Sequence, residues 1–318
     1  MRGKRKNRAL LLASAGTSFA AMASSAQGLT FNVTFTTNVT SLSYASSVES
    51  AVAYVESQYE ADFSNPITVN ITVDAMSGGL GESETNLAGF YTYSQIKTAL
   101  ATTVTTPVGI EAAASLPATN PAPTNSYVVS TAQGKALGLL SASSASDGTF
   151  LFGTGVTYTF NPSARAVAGE YDFIGVADHE FSEIMGRIGI LGHDFSGTDA
   201  YGLLDLYGYT GPGALDLSTN QAGVNFSIND GTTLLKLYNN GSDGGDNKDW
   251  DSPGFGNPGE TNDAYNGFSS QGVENDISNI DLEEMNAIGY NVVPEPASAS
   301  VLALGGLILL TRHRRSRT

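Results

Sequence analysis

Cysteine is absent from the 318 residues. That excludes disulfides, thiolate metal sites, iron–sulfur clusters and a cysteine nucleophile. Basic residues are scarce as well. Fifteen Lys and Arg stand against 31 Asp and Glu, and nine of the fifteen lie in the two ends. The body between them therefore holds six bases and thirty acids. Nucleic-acid binding needs clustered Lys and Arg to release counterions, so no nucleic-acid partner is expected. Contact of the body with an anionic membrane surface is disfavoured for the same reason. Serine-hydrolase, phosphate-loop and dinucleotide fingerprints are also missing. Only three His are present, and one of these, His313, belongs to the basic C-terminus. What the body has in plenty is Gly, Ser, Thr, Asn and Asp, the composition of an exported, β-containing protein.

The two ends read as addresses. In residues 1–26, five basic residues (Arg2, Lys4, Arg5, Lys6, Arg8) precede a small apolar stretch, and Ser24, Ser25 and Ala26 offer small side chains to a signal peptidase. Cleavage is expected after Ala26. At the other end, residues 293–318 carry Pro294-Glu295-Pro296, an apolar run over 297–310, and then Arg312, Arg314, Arg315 and Arg317. About 20 apolar residues span a bilayer unaided; this shorter run is expected as a short transmembrane helix with its arginines on the cytoplasmic side. The three parts together resemble the PEP-CTERM sorting signal. The resemblance implies processing by an exosortase, with membrane contact only through this segment and only before processing. The product would be exported to the cell surface, the extracellular matrix or the medium.

Within the body, periodicity predicts a strand over residues 29–36 and an amphipathic helix over 46–63, with Val48, Ala51, Val52, Val55 and Tyr59 on one face. A second strand follows over 66–73, and a Gly-rich break over 76–82. A short helix opened by Ser94 is expected over 93–102, a Pro/Ala loop over 114–125 and a helix over 131–140. A strand pair or hairpin is expected over 148–160, and a helix over 172–187 with Asp172 as its cap. Beyond it, short β segments (223–228, 233–238) lie among loops, and a last helix over 281–288 stops at Gly289. This pattern is α+β, with a cleft expected between a helix-and-sheet half and a looped half.

The segment with chemistry in it runs from Tyr171 to Arg187 and contains His179-Glu180-Phe181-Ser182-Glu183. On a helix, His179 and Glu183 stand one turn apart on one face. Two ligand side chains at i and i+4, with a Glu after the first, have the layout of the H-E-x-x-H zinc helix. Glu183 replaces the second His, and carboxylate oxygen binds zinc at nearly the distance of imidazole nitrogen. Harder ions such as manganese or calcium then also become acceptable. Apolar flanks (Phe173, Ile174, Val176, Ala177, Phe181, Ile184, Met185) would bury these polar groups, and a metal would compensate them.

The string from Tyr171 to Arg187 resembles the active-site helix of a zincin-like metalloprotease family of exported bacterial proteins with an H-E-[IF]-S-E-x-M-G-R core. Further likeness lies in residues 203–207, 225–231, 246–250 and 281–290, and upstream in 67–73, 93–100 and 132–139, so that it covers most of 29–291. The resemblance implies a zincin-like domain over residues 27–291, with a mixed sheet, an active-site helix and a loop-rich C-terminal lobe. It implies zinc held by His179 and Glu183, Glu180 as general base, and hydrolysis of protein or peptide substrates. For the third ligand the sequence leaves Asp205 and His193 open, with Asp205 ahead. Tyr201 or Tyr207 could donate to an oxyanion, and Arg187 could pair with Asp205 or Glu183. Residues 239–267 carry Asp243, Asp246, Asp249, Asp251, Glu260 and Asp263 among Gly and Asn, which suits calcium; Trp250 is expected to pack this loop on the core. Two other readings remain: an inactive zincin-like protein binding the surface or the exopolysaccharide matrix, and an adhesive or carbohydrate-binding module.

Overall fold

In the computed structural model, residues 28–294 are described, apart from 192, 196, 243 and 253–261. The signal segment and nearly all of the sorting segment lie outside the described residues. Among the described residues, no helix is long and apolar enough to cross a membrane.

The first half is built on strand β1 (Thr30–Phe35), the one-turn helix α1 (Thr37–Thr40), helix α2 (Ala45–Asp62) and strand β2 (Thr68–Met76). β1 and β2 pair in parallel. The five apolar residues expected on the inner face of α2 are its buried ones. Strands β3 (Gly81–Thr85) and β4 (Leu87–Tyr91) follow. The first arises out of the Gly-rich break and was not expected as a strand. Helix α3 (Tyr93–Thr103) is capped by Thr92, whose hydroxyl accepts from Gln95 N–H while the Gln95 side chain accepts from Thr92 N–H. Thr92, not Ser94, thus opens it, because this reciprocal cap satisfies two otherwise unpaired donors. Helix α4 (Pro107–Ser115), strand β5 (Tyr127–Ser130) and the short helix α5 (Thr131–Ala136) complete this half.

Strand β6 (Gly148–Gly153) lies between β2 and β3 in a mixed sheet of order β1-β2-β6-β3. It runs parallel to β2 and antiparallel to β3. Two strands form over 148–160, as expected, but they do not pair with each other as a hairpin. Strand β7 (Tyr158–Thr159) instead pairs in parallel with β8 (Tyr171–Asp172), which leads directly into helix α6 (Phe173–Ile184). The reason is aromatic packing. Phe150 and Phe152 point inward against Phe173, and Tyr158 stacks edge-on to the same ring. Both strands are thereby bound to α6 rather than to each other. Each of these buried phenylalanines contributes roughly 1.5–3 kcal/mol by leaving water.

The second half has a small sheet of β9 (Gly208–Tyr209), β10 (Asn225–Phe226) and β11 (Lys236–Leu237), in the order β11-β10-β9. Trp250 is fully buried against Tyr238 and Phe226, so it does pack its loop onto the core. Helix α7 (Asn279–Ala287) returns to the first half, and Gly289 follows it with φ +113°. Asn291 then accepts from Thr105 N–H and donates to the Thr103 carbonyl, closing the chain on itself. The architecture is α+β with a mixed sheet. Five of the six body cations sit in ion pairs: Lys135–Asp147, Arg165–Asp172, Arg187–Asp249, Lys236–Asp263 and Lys248–Asp205.

Candidate metal centre

Helix α6 is fixed at both ends by its own residues. Asp172 caps it at Ile174 N–H, accepts from Asn275 N–H, and pairs with the buried Arg165. At the other end Gly186 adopts φ +115°, a conformation that strains any side chain. The Arg187 N–H can therefore bond back to the Ser182 carbonyl at 3.0 Å. This turn brings the Arg187 side chain back towards Ser182 and Glu183.

His179 Nδ1 lies 2.9 Å from the carbonyl oxygen of Ala264. A carbonyl only accepts, so Nδ1 carries a proton and Nε2 is the atom turned to the site. Nε2 lies 3.3 Å from Glu183 Oε1 and 3.3 Å from Asp249 Oδ1. The three donor atoms fall within 4.8 Å of one another, the one such His/Asp/Glu group among the described residues. Glu183 Oε2 accepts from Ser83 Oγ at 2.7 Å, and Asp249 Oδ1 accepts from Arg187 Nη1 at 2.7 Å.

Burial works to lower the His179 pKa, but the charges of Asp249 and Glu183 outweigh it and hold the ring up at about 10. Glu183 is held down at about 2 against burial, by His179, Arg187 and the Ser83 hydroxyl. Glu180 goes the other way. Burial first, and then the negative charge of Glu183, push its carboxyl well above the usual range. The pair divides as in other acid–base sites, one carboxylate ionised and one poised to hold a proton. An imidazole nitrogen with its other nitrogen anchored, plus two carboxylates each held by an outer partner, is a donor set that suits zinc or manganese. Such an ion would displace the proton on Nε2, so its uptake would release a proton.

Glu180 and His179 open onto a small cleft of about 110 Å³ lined also by Leu80, Gly81, Val176, Asn266, Gly267 and Ser269. The cleft runs between the edge strand β3 and the loop after Ala264. Gly81 and Ser83 share one face of β3, since side chains alternate along a strand. Gly81 leaves room for Glu180: a Cβ there would lie 2.4 Å from Glu180 Oε1. Ser83, two residues on, reaches Glu183. Gly81 fell in the stretch that read as a breaker, and Ser83, just past it, carried no local signal.

The two residues expected as third ligand are elsewhere. Asp205 is buried, accepts from the N–H groups of Gly202 and Ile190, and faces Lys248 at 3.7 Å. It caps a turn and balances a buried lysine. His193 is exposed on the loop after α6, its ring beside Phe195. The acid that stands beside His179 and Glu183 is Asp249. It stood among the acids of the expected calcium loop, and its neighbour Trp250, buried and bonded to Asp281 through Nε1, is what anchors it. Those loop acids form no shared metal-binding group among the described residues, although Asp246 lies close enough to Glu183 and Asp249 to feel both charges. Asp249 faces His179, Asp263 pairs with Lys236, and Asp243 and Glu260 lie outside the description. Tyr201 and Tyr207 do not line the cleft; Tyr207 is fully buried. Arg187 pairs with Asp249 and approaches Glu183 at 3.6 Å.

Compared with family models, with characterised proteins and with solved structures, the chain matches none.

Proposed function

We propose that this chain is an exported zincin-like metallopeptidase that binds zinc through His179, Glu183 and Asp249. One observation supports the reading above the others. An imidazole and two carboxylates converge beside a cleft, and a third acid, Glu180, opens onto the same cleft without belonging to the donor set. A zincin-like arrangement also draws support from the buried helix α6 lying against an edge strand that runs antiparallel to its neighbour β6. When bound, the ion would act as a Lewis acid on a peptide carbonyl and on water. Glu180 would take the proton of the attacking water on its carboxylate and deliver it to the leaving amine nitrogen. The signal and sorting segments belong to the same proposal, with exosortase processing placing the product outside the cell.

A second reading rests on Arg187. Its guanidinium already supplies a positive charge to Asp249 and Glu183, so the cluster could serve as a self-balanced core in an inactive, matrix-binding relative. Elemental analysis of the purified protein beside His179→Ala separates the two. Stoichiometric zinc that disappears in the variant, with cleavage of an unfolded protein that Glu180→Gln abolishes, is the expected result. Metal-free, inactive protein would leave the second reading standing.

A further inference from the structure

The three donors come from distant parts of the chain. His179 and Glu183 belong to α6, whereas Asp249 sits on an irregular loop, 62 residues past Arg187. Two carboxylates brought this close repel each other, the more so where water is excluded. Something other than the ion has to draw Asp249 in. Arg187 touches both acids: Nη1 donates to Asp249 Oδ1 at 2.7 Å and Nη2 lies 3.6 Å from Glu183 Oε1. Its own place is set by Ser182 Oγ, which accepts from Nε at 2.7 Å, and by the Tyr265 ring 4.4 Å from the guanidinium carbon. Nη1 also reaches the Lys248 carbonyl at 3.4 Å, so it grips the backbone of the same loop.

We infer that Arg187 is the positioning residue of the metal centre: it draws the loop of residues 246–250 onto α6 and presents Asp249 as the third donor. Lys248 secures the loop from the opposite side, since its ammonium donates to Gln221 Oε1 at 2.7 Å and faces Asp205. Asp205 thereby serves the centre from outside the donor set. A planar fork can hold two carboxylates at a fixed angle, whereas a lysine is a point charge on a flexible stem. The inference rests on the metal-binding reading above.

The test measures Zn²⁺ affinity of the full chain by competition with a chromogenic chelator, and the visible spectrum of the Co²⁺-loaded protein. The set is wild type, Arg187→Met, Arg187→Lys, Asp249→Asn and the double variant Arg187→Met/Asp249→Asn. Arg187→Met should weaken zinc binding about 10–100-fold, the range for partners behind a metal ligand. Asp249→Asn should weaken it at least as much. The double variant should be no weaker than Asp249→Asn alone, because Arg187 acts through Asp249. Its Co²⁺ spectrum should match that of Asp249→Asn, and Arg187→Lys should recover part of the loss. Wild-type affinity in Arg187→Met, or losses that add in the double variant, overturn the inference while leaving the metal reading intact. A wild-type protein that binds no zinc overturns both. If near-ultraviolet circular dichroism shows Arg187→Met unfolded, the same cycle is run with Arg187→Lys, and additive losses there are equally decisive.

Discussion

Replacing Asp249 with Ala should remove both metal and stability, whereas replacing His193 with Ala should remove neither. Arg187 is 1 % exposed and donates to Asp249 at 2.7 Å. At an effective dielectric constant of about 20, that contact has a gross attraction of about 6 kcal/mol. Most of it offsets desolvation, and breaking a buried pair from one side costs about 3–5 kcal/mol. Glu183 at 3.6 Å remains as partial compensation, which places the expected loss near the lower end. For a chain of this size each kcal/mol corresponds to roughly 2–4 °C, so the melting midpoint should fall by roughly 6–12 °C. Zinc at a hundred times its dissociation constant should stabilise the wild type by about 2.7 kcal/mol, and Asp249→Ala should lose that increment as well. His193 is exposed, so His193→Ala should stay within about 0.5 kcal/mol of wild type and keep its zinc response. Urea unfolding and thermal melts, each with and without zinc, read all of these. The reasoning fails if Asp249→Ala melts like the wild type, or if the zinc response survives in it and vanishes in His193→Ala.

Further outcomes follow from the same geometry. Glu180→Gln should lower the peptidase rate constant by about 10²–10⁴-fold with zinc still bound, as measured by steady-state cleavage and elemental analysis. Gly81→Ala places a Cβ 2.4 Å from Glu180 Oε1 and 2.6 Å from Val176 Cγ1; it should cost about 1–3 kcal/mol by overpacking and displace the general base, so activity should fall more than stability, and unchanged activity would remove the cleft from the mechanism. Glu284 is pushed up to about 8 by burial, with Asp281 and Asp249 adding to it against Arg187 and Tyr238. The folded state then binds a proton that the unfolded state has released, so this contribution is full below about pH 4 and fades as pH rises through about 8; Glu284→Gln should flatten that decline in urea titrations run from pH 5 to 9. Lys135 and Asp147 are buried together, and Lys135→Met should destabilise by about 3–5 kcal/mol by stranding a carboxylate, visible as a lower urea midpoint.

Local periodicity was enough to place α6 and to put His179 and Glu183 on one face, because a 3.6-residue turn makes positions four apart neighbours whatever surrounds them. The cap at Asp172, the inner face of α2 and the pairing-competent strands β1 and β2 were legible for the same reason: each depends on residues within a few positions. The partner of a strand is not such a property. Gly81 looked like part of a breaker and Ser83 was given no role until pairing with β6 turned both towards α6. Asp205 and Asp249 carry the same carboxylate, and sequence reasoning put Asp205 forward as a zinc ligand while placing Asp249 among the acids of a calcium loop. Which of them meets His179 was decided by Lys248 engaging one, Arg187 engaging the other, and Trp250 burying the loop between the small sheet and α7. The sequence by itself determined the helix that sets an imidazole and a carboxylate on one face with Glu180 beside them. Only tertiary closure over more than sixty residues brought Asp249 beside them, since a loop's position is set by what it packs against and not by its own pattern.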